Sequence, residues 1–210
     1  MKNISKALLA SAIALTASTA FAEGDSVTLT VTGAVTPSAC TPTLGGNFEF
    51  GAIDKANLPV NQTGTHYVVP YKELTFTVSC AAPTSFVLAP TDHKADSRDA
   101  NSGFYTFGLG WTAGGSKIGY YVLGLLDAAA GGNPVKVYRA TDSSATAWEE
   151  SEGMDGPQGR YSRFGDSPST YSSYQQVTAT LAAFPYVRSD LDFSEEIKLD
   201  GSATIEVKYL

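Results

Sequence analysis

Histidine, cysteine, methionine and tryptophan each occur only twice in the 210 residues, and positive charge is scarce. These shortages exclude much chemistry. His66 and His93 are the whole imidazole supply for proton transfer, and neither sits beside a nucleophile or carboxylate motif, so both read as surface residues. No serine-hydrolase elbow, phosphate-binding glycine loop, dinucleotide fingerprint or zinc-ligand cluster is present, and no enzyme is expected. Lys and Arg number 14 against 21 Asp and Glu, a formal net charge of −7, which argues against a nucleic-acid partner. No apolar run reaches the roughly 20 residues of a membrane-spanning helix. No dozen-residue window carries a helical stripe, and residues 123–130 could form at most one short helical turn.

The N-terminus is informative. Lys2 and Lys6 precede a short apolar run over residues 7–15, and Ala20-Phe21-Ala22 supplies the small-x-small pattern read by signal peptidase. Residues 1–22 are therefore expected to be a signal peptide, with Glu23 as the first mature residue and no membrane span in the mature chain. Removing Lys2 and Lys6 takes the 14 basic residues to 12 against 21 acids, a net −9. Residues 23–210 suit one large β domain better than two compact ones. In an oxidising compartment Cys40 and Cys80 are expected to pair, which would stabilise the fold by about 3–4 kcal/mol through loop-closure entropy.

The strong patterns have period two. Val27, Leu29, Val31, Gly33 and Val35 alternate with polar or small residues; so do Leu74, Phe76, Val78 and Cys80, and so do Ala203, Ile205, Val207 and Tyr209. Residues 86–88, 104–109, 117–123, 135–138 and 175–181 read as further strands. Gly45-Gly46, Ala113-Gly114-Gly115 and Gly131-Gly132-Asn133-Pro134 provide turns between them. Many short strands with punctuating turns predict an all-β sandwich or barrel. Two polar stretches, 89–102 and 141–173, depart from this pattern and read as loops, either functional or mere surface decoration. Glu149, Glu150, Glu152 and Asp155 suggest calcium, but their spacing is not that of an EF-hand, and a solvated acidic loop fits better. Asn61-Gln62-Thr63 matches a glycosylation sequon, a match frequent by chance.

The terminal strands carry a resemblance. Val27 to Val35 with Gly33 inside it and Cys40 shortly after, Phe48-Glu49-Phe50-Gly51 followed by Leu74 to Cys80, and the ending Ala203-Thr-Ile-Glu-Val-Lys-Tyr209-Leu210 are together similar to chaperone–usher fimbrial (pilin-like) subunits, including a less-characterised fimbrial-like exported branch. The resemblance covers the first third of the mature chain and its last dozen residues. It implies an incomplete immunoglobulin-like (pilin) β-sandwich over residues 36–210, lacking its final strand, preceded by a donor-strand extension at 23–35. It implies donor-strand exchange as the assembly chemistry. Val27, Leu29, Val31, Gly33 and Val35 would form the donor face. Ile205 and Val207 would border the acceptor groove, and Tyr209 and Leu210 would be the chaperone-recognition end. Implied partners are a periplasmic chaperone, an outer-membrane usher and neighbouring pilin subunits, with no cofactor, and the implied destination is the cell surface in a fimbrium serving adhesion. The sequence departs from the family at Ile197, where such pilins usually carry glycine; Gly201 is the nearest. The other expectation is a stand-alone periplasmic or secreted β-sandwich binding protein whose N-terminal strand pairs within its own chain.

Overall fold

Period-two patterning becomes thirteen β-strands in two antiparallel sheets in a computed structural model, which describes residues 30, 32, 39–99, 103, 105–156 and 160–210. The segment 1–22 and the residues Val27, Leu29, Val31, Gly33 and Val35 lie outside the described residues. The strands are β1 (Cys40–Leu44), β2 (His66–Val68), β3 (Lys72–Thr84), β4 (Phe86–Asp92), β5 (Thr106–Gly108), β6 (Gly119–Ala130) and β7 (Asn133–Pro134). After them come β8 (Lys136–Ala140), β9 (Glu149–Glu150), β10 (Gly153–Met154), β11 (Tyr161–Gly165), β12 (Tyr174–Arg188) and β13 (Ala203–Tyr209). Short 3₁₀ turns at Lys55–Asn57 and Ala95–Ser97 are the only helical elements among the described residues.

The first sheet runs β1-β3-β12-β6-β10, with β2 on β12 and both β5 and β7 on β6. The second runs β13-β4-β11-β8-β9. Alternation decides which side chains enter the core between them. In β3, Phe76, Val78 and Cys80 are buried, while Glu73, Thr75 and Ser79 face solvent. In β12, Val177, Ala179, Leu181, Ala183 and Val187 are buried. From the second sheet Phe86, Leu88, Val137 and Phe164 complete the same core. Gly131 and Gly132, with φ of 57° and 82°, make the two-residue turn from β6 to β7 that twisted hairpins favour.

Three expectations need correction. Residues 123–130 make no helical turn; they extend β6. A bulge causes the misreading: Asp127 has φ 49°, and the pairing slips from Thr178↔Ala129 to Thr180↔Leu126. The slip moves the buried positions from Leu123 and Leu125 to Ala128 and Ala130, so the apolar spacing mimics a helix. Residues 141–173 are not one loop, since they contain β9, β10 and β11, and β11 lies inside the second sheet between β4 and β8. Buried Ser162 and Arg163 hide its strand pattern. Likewise residues 89–92 complete β4.

Candidate functional site

The two sheets differ in how their edges are finished. β13 pairs along its whole length with β4, from Ala203↔Asp92 to Tyr209↔Phe86, and no described strand pairs with its other side. Among the described strands β1 pairs with β3 alone, with Cys40 opposite Cys80. The expected disulfide joins those two residues, so β1 is covalently held to the sheet. A strand with one unpaired side presents free backbone N–H and C=O groups to any chain that can reach them.

Between these edges lies an apolar groove of about 1230 Å³. Its floor is the core itself, with Phe76, Leu123, Leu181 and Ala183. One wall is β1 and the following extended segment, which contributes Phe48, Phe50, Ile53 and Leu58. The other wall is β13 with Ala203 and Ile205, and the segment before it with Phe193, Ile197 and Leu199. Neither flanking segment is a strand; isolated backbone bonds, such as those from the Asp200 amide to the Leu109 carbonyl and from the Val68 amide to the Pro59 carbonyl, hold them together with side-chain contacts. Phe193 meets Tyr67 edge-on at 5.6 Å, and the Lys55 ammonium lies 4.3 Å above the Phe193 ring.

The terminal residues take distinct places. Ile205 and Val207 are half-buried against the core, on the inward side of β13. Tyr209 is 43 % exposed, and its hydroxyl accepts a 2.8 Å hydrogen bond from the Cys40 amide, linking the two sheet edges at one end of the groove. Leu210 is 50 % exposed, with its amide donating to the Ser85 carbonyl. Toward the other end, Gly201 lies against the Tyr121 ring, where an added Cβ would come within 2.7 Å of Cε1. Burial, with Asp92 secondary, pushes the Tyr121 phenol well above its ordinary range, so it lines the groove as a neutral ring. Ile197 is one of the residues lining the groove.

Apart from Ile197, residues 193–199 were missed by sequence reasoning, although a signal was there. Leu191 and Phe193, then Ile197 and Leu199, are apolar at every second position on either side of Glu195-Glu196. The acids interrupt the run, and no strand forms.

The opposite side of the sandwich is closed. Arg163 projects from β11 on the outer side of the second sheet and is almost wholly buried. Its guanidinium lies 4.9 Å from Tyr138, 4.9 Å from Trp148 and 5.1 Å from Tyr171, and it donates 2.8 Å bonds to the carbonyls of Thr170 and Ser167. Burial lowers its pKa from the usual value. These contacts fasten residues 141–148 and 166–173 onto the sheet. The acids nearby are engaged by bases: Glu150 with Lys136, Glu149 with Arg139, and buried Asp155 with Arg139 and Arg160. No cluster of three metal-ligating side chains occurs among the described residues. His66 bonds Asp99 at 2.8 Å and Thr65 at 2.9 Å, while His93 bonds Thr204 at 2.7 Å. No described helix is long and apolar enough to cross a membrane.

Residues 29–106, less than half of the chain, match a family described as "Protein of unknown function (DUF1120)". The chain is 27% identical to Protein GltF of Escherichia coli (strain K12) over an alignment of 256 residues that spans 100% of this chain and 98% of that protein. No solved structure matches the chain.

Proposed function

We infer that the protein is an exported structural subunit of a surface fimbria, assembled non-covalently by donor-strand exchange along the chaperone–usher route and contributing to adhesion. Its role is mechanical and not catalytic. One observation carries this reading: an apolar groove open to the core, flanked by the one-sided edges of β1 and β13.

The strand order supports the immunoglobulin-like frame. If β1, β3, β12 and β6 take the places A, B, E and D, the first sheet has the order of a constant-type domain. β13 and β4 then take F and C, and no described strand fills the place of G beside β13. Such a sandwich is one strand short, and an added strand would complete both the backbone ladder and the core. The disulfide supports folding in an oxidising compartment such as the periplasm.

In this reading a periplasmic chaperone fills the groove first. The segment bearing Val27, Leu29, Val31, Gly33 and Val35 of a neighbouring subunit replaces it, with the outer-membrane usher as the site of exchange. Tyr209 and Leu210 form the end that the chaperone recognises. The test is made on protein lacking residues 23–35, melted with and without a synthetic peptide of that segment. A low or absent transition alone, restored and raised by the peptide, is the expected result. A stable monomer indifferent to the peptide would end the fimbrial reading. Chains formed by the intact protein would then separate exchange between copies from pairing within one chain.

A further inference from the structure

The floor of the groove is apolar except at one point. Among the described buried residues that line it, Tyr121 alone carries a polar side-chain atom. Tyr121 points inward from β6, is 8 % exposed, and stacks on Phe107 with ring centroids 5.2 Å apart. Burial keeps the phenol protonated, so its hydroxyl is a hydrogen-bond donor. Asp92, the carboxylate that bears on it, already accepts from the Lys94 and Gly108 amides. The hydroxyl has no hydrogen-bond partner among the described residues. Water serves it while the groove is open. A strand that fills the groove displaces that water, and the hydroxyl then needs an acceptor on the strand or is buried unpaired.

Gly201 fixes where along the groove this happens. An added Cβ there would come within 2.7 Å of Cε1 and 3.4 Å of Cζ of the Tyr121 ring, so the phenol lies beside the chain just before Ala203, the first residue of β13. A strand laid antiparallel on β13 runs from Tyr209 toward Ala203. With Val27 opposite Tyr209, residues 29, 31 and 33 fall opposite Val207, Ile205 and Ala203, and Gly33 arrives at the phenol. The other residues of that alternating run, Val27, Leu29, Val31 and Val35, cover their backbone with branched side chains and offer no side-chain acceptor. Glycine leaves its main chain bare and lets it approach closely.

We propose that Tyr121 determines which strand, and which register, the groove accepts: its hydroxyl donates to a main-chain carbonyl at Gly33 of a second copy's segment 23–35. This inference rests on the groove being a strand acceptor. Alternation alone leaves the register open, because a slip of two residues keeps the same face inward. A slip of two in either direction brings Val31 or Val35 to the phenol and leaves the hydroxyl unpaired.

The test uses the full chain, as wild type and as Tyr121→Phe, with fluorescent peptides of residues 23–35 in the native sequence and with Gly33→Val. Tyr121→Phe should leave the melt of the free protein unchanged or raise it, while weakening the native peptide roughly three- to tenfold. A tyrosine serving the fold alone would not separate those two readouts. On wild-type protein Gly33→Val should weaken binding at least about tenfold, and by less on Tyr121→Phe, which has no hydroxyl to leave unpaired. Native peptide bound as tightly by Tyr121→Phe as by wild type, or Gly33→Val tolerated by wild type, overturns the role of Tyr121 while leaving the strand acceptor standing. Binding of neither peptide to wild type overturns both.

Discussion

The two sides of this sandwich handle the same problem in opposite ways. On one side the second sheet is covered: β8 receives β9, β11 is sheltered by folded-over chain, and Arg163 fastens that chain with two hydrogen bonds and contacts to Trp148 and Tyr171. On the other side β1 and β13 each keep an edge that no described strand pairs with, and the space between them is floored by core residues. A protein able to close one side so completely has the means to close the other. The difference teaches that aromatic-rich segments are not by themselves binding loops. Trp148 is buried and Tyr171, though 45 % exposed, packs edge-on against it, whereas among the described residues the apolar groove lies beside a plain strand, β13.

Breaking the comparison begins with the disulfide. Cys40→Ser with Cys80→Ser frees β1 from β3 beside the groove and should lower stability by about 3–4 kcal/mol, given the 40-residue separation, with denaturant melts as the check. Arg163→Ala attacks the closed side. It leaves Tyr138, Trp148 and Tyr171 around a void and should cost about 2–4 kcal/mol, while leaving strand-peptide binding at the groove unchanged. Phe193→Ala attacks the open side, where the ring is only half-buried. A loss of about 1–2 kcal/mol in stability should accompany weaker peptide binding, a combination that Arg163→Ala does not give. The smallest effect belongs to Lys136→Ala, which removes an exposed ion pair with Glu150 and should change stability by less than about 1 kcal/mol. Calcium at millimolar concentration should likewise leave the melt unmoved, because Glu149, Glu150 and Asp155 already face bases.

Much of the fold was legible wherever one face of a strand is apolar and the other polar. Phe76, Val78 and Cys80 announce β3, and Ile205, Val207 and Tyr209 announce β13. The disulfide followed from two cysteines and the expectation of an oxidising compartment. Legibility failed where burial and polarity part company. β11 buries a serine and an arginine, so its pattern vanishes, and the bulge at Asp127 shifts β6 out of period. The groove was half legible. The strand β13 could be named from its own alternation, but the wall formed by Phe193, Ile197 and Leu199 depends on how two segments outside the strands flank the core, which no local pattern encodes.

The most direct measurement is amide hydrogen exchange on protein lacking residues 23–35, with and without a peptide of those residues. Amides of β13 that do not bond to β4 should exchange rapidly in the free protein and slow at least about tenfold with peptide, while those of β8 and β11 stay protected and unchanged. If those β13 amides are already as protected as β11 and the peptide changes nothing, the sandwich is complete as it stands and the account of an open strand-accepting groove is wrong.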